Sequence, residues 1–189
     1  MIALNLQDAL AARLKRLVDG WSLPAKGGGV RPVRVFRQFL PLPGATQEGG
    51  PEGPIVFDNA LAYGEEDLER NFPCLLVKVD EVEDAGEGPP CRISARILAG
   101  VYDESSDCQG YRDGMNLMEA VRLDLLQNRF LEMKFRLAPP LKWYVFEEQP
   151  WPVFFACMDT KWETGRPAEQ IIWKGGDWRN GSYEQRKES

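Results

Sequence analysis

The stretch Cys91–Tyr102 reads Cys-Arg-Ile-Ser-Ala-Arg-Ile-Leu-Ala-Gly-Val-Tyr. Cys91, Ile93, Ala95, Ile97, Ala99 and Val101 alternate with Arg92, Ser94, Arg96, Leu98, Gly100 and Tyr102. Successive side chains of a strand point to opposite faces, so a period of two predicts a strand with one buried face. Leu75–Val82 precedes it across an acidic Gly/Pro loop, Glu83–Pro90, and the two runs together predict a hairpin. Further out, Val33–Leu40 predicts an earlier strand that stops at Pro41. Lys134–Leu137, Leu141–Glu147 and Val153–Trp162 predict three later ones, punctuated by Pro139-Pro140 and Pro150-Trp151-Pro152.

Two segments carry the helical period instead. In Ile2–Asp19, Leu6, Leu10, Leu14, Leu17 and Val18 recur at three- and four-residue steps among alanines, and Gly20 stands at the C-terminal cap position. Trp and Phe are missing from its apolar face, which favours packing on a sheet over lying on a membrane surface. In the second segment, Gly110, Gly114, Leu117, Met118, Val121 and Leu125 share one face, through Gln127. Ser106 and Gln109 have capping-box spacing, with Asp107 favourable at the positive end of the helix dipole. Ser106 is therefore the expected N-cap, and the two glycines allow close approach to the sheet.

Helix, three strands, helix and three strands predict an α+β fold: a mainly antiparallel sheet of about five to six strands with two amphipathic helices on one face. Trp21–Pro32, with Gly27, Gly28 and Gly29, reads as a connector. It lacks the Lys-Ser/Thr that a phosphate loop needs. Pro41–Gly53 reads as a long Gly/Pro-rich loop, and Gly64–Asn71 holds one helical turn. Residues 1–163 form a single domain. Residues 164–189 form a polar extension whose Trp173 and Trp178 suit docking on a neighbouring surface.

The chain has 189 residues, a net charge of -6 and no histidine. The missing histidine excludes Ser-His-Asp and Cys-His mechanisms and every His-containing zinc site. The four cysteines, Cys74, Cys91, Cys108 and Cys157, form no C-x-x-C pair and read as reduced thiols rather than zinc ligands. Asp103, Glu104 and Asp107 fail the EF-hand pattern, because Cys108 and Gly114 stand where Gly and Glu belong. Asp80, Glu81, Glu83, Asp84 and Glu87 read as an acidic loop, although paired carboxylates could serve a metal-dependent hydrolase. No basic stripe suits direct nucleic-acid recognition. The N-terminal stretch is broken by Asp8, Arg13, Lys15 and Arg16 and does not read as a targeting segment. No run is long enough to span a membrane. No cofactor or metal is expected, nor enzymatic activity.

Charge is unevenly distributed. Residues 1–40 hold seven Lys or Arg against two Asp or Glu, residues 41–127 six against eighteen, and residues 128–189 ten against nine. Such polarity suits head-to-tail contacts between copies.

An ordered set of short runs adds a specific comparison. Val101-Tyr102-Asp103, Asp107–Asp113 and Asn116-Leu117 are followed by Leu141-Lys142-Trp143, Glu147–Phe155 and Thr160–Glu163. Together these runs, over residues 73–165, resemble the tail-terminator or tail-completion family of long-tailed phages and prophages, the minor tail proteins. The Pro41–Gly53 loop and Arg166–Ser189 have no counterpart in that resemblance. The resemblance implies a non-catalytic structural protein of the virion, present in the virion tail and in the host cytoplasm during assembly. It implies a small α+β subunit that closes with copies of itself into a hexameric ring at the head-proximal end of the tail tube. There the ring would stop tube polymerisation and present a surface to the head-completion protein, with the tail-tube protein as its other partner. A head–tail connector or a tail-tube subunit is the nearest alternative, and a carboxylate-dependent metal hydrolase is the alternative from another class.

The residues expected at subunit contacts are Asp103, Asp107, Tyr111, Glu147, Glu148, Gln149 and Trp151. Pro150 and Pro152 supply no backbone donor, so Trp151 belongs at a rim rather than within a central strand. Arg13, Arg16 and Arg34 are the basic residues expected to meet Glu147 and Glu148 from a neighbouring copy.

Overall fold

The computed structural model of the chain describes residues 2–41, 69–84 and 90–165. Helix α1 (Ile2–Leu17) leads into a small hairpin of β1 (Ser22–Pro24) and β2 (Val30–Pro32), then into β3 (Arg34–Arg37). A 3-10 turn, Glu69–Asn71, precedes β4 (Cys74–Glu83) and β5 (Cys91–Tyr102). Helix α2 (Tyr111–Gln127) follows, then β6 (Phe130–Leu131), β7 (Phe135–Val145) and β8 (Val153–Thr164). The main sheet has the order β3-β4-β5-β8-β7-β6, and every pairing in it is antiparallel except β3 with β4. The fold is α+β, as the periodicities predict.

The alternation in β5 decides which way the sheet faces. Cys91, Ile93, Ala95, Ile97, Ala99 and Val101 are all buried. All but Val101 share one core with Leu75 and Val77 of β4, Met158 and Trp162 of β8, and Phe135 and Leu137 of β7. Both helices close this face. Leu6, Leu10 and Leu14 come from α1, and Leu117, Met118, Val121 and Leu125 from α2; all seven are fully buried. Burying a side chain of this size contributes about 1.5–3 kcal/mol, so the apolar stripes rather than helix propensity hold the helices in place. Gly20, with a φ of 82°, turns the chain out of α1.

The opposite face is built differently along its length. Toward one end, Phe72, Cys74, Tyr102 and Val153 form a second apolar cluster with Phe36, Leu40 and Phe155. The Phe72 and Phe155 rings meet edge to face at 5.5 Å. Gly100 permits this, since a Cβ there would lie 2.4 Å from the Phe72 ring. Toward the other end the face is charged. Arg96 reaches Asp159 at 3.1 Å and Asp80 at 3.6 Å, and Arg92 lies 3.8 Å from Glu163. Exposed pairs of this kind contribute at most about 1 kcal/mol each.

Five elements depart from the sequence reading, the first being β6, for which the sequence predicts no strand. The connector Trp21–Pro32 contains the β1–β2 hairpin, whose turn uses Gly27, Gly28 and Gly29 at φ values of 80–86° that only glycine adopts without strain. The strand expected over Val33–Leu40 is paired only from Arg34 to Arg37. Beyond it, Gln38 turns to a φ of 59° and its side-chain amide takes over the ladder. The Gln38 carbonyl oxygen accepts from Val79 N at 3.0 Å, and its amide nitrogen donates to Val79 O at 3.3 Å. Pro139-Pro140 does not divide two strands. It sits in a bulge of one continuous strand, β7, where the register to β8 jumps between Ala138 and Lys142. Finally, α2 starts at Tyr111 rather than near Ser106.

Of the Gly64–Asn71 turn, Glu69–Asn71 is seen as expected. The Pro41–Gly53 loop after Pro41, residues 85–89 and the 166–189 extension with Trp173 and Trp178 lie outside the described residues. No helix among the described residues is long and apolar enough to cross a membrane.

Candidate interaction surface

The end of β5 and the start of β8 pair as Tyr102 with Val153. That register forces the two loops beyond them together: Asp103–Gly110, between β5 and α2, and Phe146–Pro152, between β7 and β8. The contact is direct, with Asp103 N donating to Pro152 O at 2.9 Å. Six of the seven residues predicted for subunit contacts therefore lie on these two adjoining loops at one end of the sheet, and the seventh, Tyr111, opens the helix that follows the first loop.

The first segment is folded by its own carboxylates. Ser105 N donates to Asp103 Oδ1 at 2.9 Å, and Asp107 Oδ1 accepts from the Ser105 hydroxyl at 2.7 Å and from Gln109 N at 3.2 Å. These bonds hold the Asp107 carboxyl below the usual carboxylate range. They also explain why the Ser106 cap fails. The local donors are taken up in turns around Asp107, and Gly110 becomes the N-cap without any side-chain cap bond. Gly110 is required by contact, since a Cβ there would meet Asp103 Cβ at 2.5 Å and the Phe154 ring at 2.7 Å. Burial, with the Asp103 charge as a second cause, pushes the Asp113 carboxyl up. Burial and the bond to Glu104 raise the Tyr102 phenol.

The second segment is clasped by Gln149. Its side chain donates to Phe146 O at 2.7 Å and Phe155 O at 3.0 Å, and accepts from Phe155 N at 2.6 Å. Gln149 thus shapes the turn and points its polar atoms inward. The turn in turn presents Trp151, which is 59% exposed, beside exposed Glu147 and Glu148. Trp151 does not fold back onto the core. Tyr111, also exposed, opens α2 next to this surface, and the Tyr144 and Phe146 rings stand 5.6 Å apart at the end of β7.

Two of the three basic residues expected to meet Glu147 and Glu148 are engaged elsewhere. Arg13 is buried and donates to Asp124 Oδ2 at 2.6 Å, Asp124 O at 2.6 Å and Asn128 O at 2.7 Å, capping the C-terminus of α2. Arg34 is half-buried, bonds to Arg70 O and covers the Phe36 ring at 5.2 Å. Arg16 alone remains exposed. The sequence did carry a signal for Arg13, which stands at the helical spacing of Leu6 and Leu10, on the apolar stripe.

A groove of about 450 Å³ lies on the helical side, lined by Ala9, Arg13, Arg16, Asp124, Asn128 and Glu132 among others. None of the seven predicted residues lines it. Among the described residues no group of three or more Cys, Asp or Glu side chains is arranged to hold a metal ion.

The thiols are sharply divided. Cys74, Cys91 and Cys157 are buried, and burial pushes the Cys74 thiol up to about 12 and raises Cys157 as well. Cys108 is exposed in the β5–α2 loop. A thiol reagent at neutral pH is therefore expected to modify one cysteine in the native protein and four after denaturation, with Cys108→Ser abolishing the native reaction. Rapid native labelling of more than one thiol would show that the sheet opens.

Compared with protein-family models and with curated proteins, the chain matches none.

Proposed function

We propose that this chain is a phage structural protein, a tail terminator. It closes as a ring on the head-proximal end of the tail tube, stops tube polymerisation and joins tail to head. Its partners in this reading are further copies of itself, the tail-tube protein and a head-completion protein, and its place is the virion tail, with the host cytoplasm as the site of assembly. No catalytic step belongs to the proposal.

The observation that carries it is the convergence of the motif runs. The runs Val101–Asp103, Asp107–Asp113 and Glu147–Phe155, which resemble the tail-terminator family, adjoin at one end of the sheet through the Asp103–Pro152 bond. That end presents an exposed Trp151 within an acidic rim. An exposed tryptophan on a tightly bonded turn loses little freedom on association and supplies a large apolar area, which is what a contact hot spot needs.

Trp151→Ala tests this. Because the side chain is largely exposed, the variant is expected to keep the circular dichroism spectrum and melting temperature of the parent. It is expected to lose control of length when added to polymerising tail-tube subunits from the same genome, as seen by electron microscopy. Normal capping by the variant would remove Trp151 from the contact.

A further inference from the structure

The main sheet ends in two edges of opposite charge at the same height. On one side, β3 covers β4 only from Cys74 to Val77, and the Gln38 amide covers Val79. From Asp80 to Glu83 the outer edge of β4 has no strand partner among the described residues. Glu81 and Glu83 are exposed there and form no ion pair among the described residues, and Val82 between them is 49% exposed. On the other side, the β6–β7 hairpin turns through Glu132 and Met133. It leaves Phe130 50% and Met133 87% exposed. Lys134 and Arg136 flank that apolar tip, exposed and without an ion pair among the described residues.

The register places these patches on one row. Glu83 pairs with Arg92, Arg92 with Glu163, and Glu163 with Arg136. A second copy moved sideways in the plane of the sheet, with no shift along the strands, therefore sets its acidic edge against the basic corner of the first. Each patch also offers exposed apolar side chains, so opposite charge and apolar contact coincide. An unpaired strand edge is otherwise a liability that proteins cover or charge.

We propose that the chain associates head to tail with a second copy of itself, the β4 edge at Glu81–Glu83 of one copy meeting the β6–β7 corner at Phe130–Arg136 of the next. The proposal rests on the ring reading above in taking a second copy as the occupant. The contact is heterologous, so repeating it gives a ring when the rotation between copies closes, and a filament when it does not.

Sedimentation of the full chain at low and high salt tests it, with two charge-reversed variants, Glu81→Lys/Glu83→Lys and Lys134→Glu/Arg136→Glu. The parent is expected to self-associate, more weakly as salt rises. Each variant alone, folded by circular dichroism, is expected to associate at least about tenfold more weakly, because like charges then face each other. An equimolar mixture of the two variants is expected to recover association, since every contact between unlike copies is again complementary. A parent that stays monomeric at every concentration overturns the contact, as does association that neither variant weakens or that mixing does not restore. Capping of tail tubes is scored separately. Charge-dependent association without capping would sink the terminator reading and leave this contact standing; capping with charge-insensitive association would do the reverse.

Discussion

Replacing Trp162 with Ala is expected to cost about 4 kcal/mol of folding stability. Trp162 is fully buried on the helix-covered face of β8, with Ile93 and Leu137 as its cross-strand neighbours. Its removal takes away the largest fully buried side chain of the core and leaves a cavity that strands on both sides prevent from collapsing. It also breaks a buried polar chain. The indole nitrogen donates to Thr160 Oγ1 at 3.0 Å, and that hydroxyl donates to Ala95 O at 2.7 Å. A domain of this size holds roughly 5–15 kcal/mol in total, so the variant stands near the edge of folding. Urea unfolding should show a lower midpoint with an unchanged slope. Trp162→Phe, which keeps an aromatic ring, should lose markedly less. A loss under about 1 kcal/mol for the alanine variant would mean that this end of the sheet is not packed as described.

Arg13→Ala is expected to cost about 3 kcal/mol. The guanidinium joins two segments more than a hundred residues apart in sequence and satisfies three acceptors at once: the Asp124 carboxylate, its carbonyl, and the Asn128 carbonyl. These groups lie at the negative end of the α2 dipole, where a cation is favoured and where the last carbonyls otherwise need water. Truncation leaves a partly buried carboxylate, 29% exposed, beside helix-end carbonyls with nothing to donate to them. Arg13→Lys should not rescue, because an ammonium cannot reproduce the planar fork that meets three acceptors. Arg13→Met combined with Asp124→Leu should lose less than Arg13→Ala, since it removes both charges and keeps apolar contact. Equal losses for the single and double variants would show that packing, and not the pair, carries the effect.

The same two residues show what was legible in the sequence. Trp162 lies in a strand whose alternation, with that of Cys91–Tyr102, predicts the buried face, and α1 follows its leucines closely. Arg13 stands on the leucine stripe of α1, which marks its burial, but its partners Asp124 and Asn128 lie more than a hundred residues away and nothing in the sequence names them. The β6–β7 turn was invisible for a chemical reason. Glu132 and Met133 both take φ near 50°, where Asn and Gly would be the usual signal. Ser106 was a plausible cap by spacing, yet Asp107 bonds the neighbouring donors in a competing turn, and close contact with Phe154 makes Gly110 the start of α2. The seven residues expected at subunit contacts lie at one end of the sheet, and of these Gln149 spends its side-chain bonds inside its own turn. The sequence offered no way to see that its amide reaches Phe155.

The most direct test of the central claim is electron microscopy of tail-tube subunits polymerising with and without the purified chain. Tubes of limited length bearing a ring of this protein at one end are expected, with length set by the amount added. Tubes that grow to the same unregulated lengths in its presence, with no ring at either end, would contradict it.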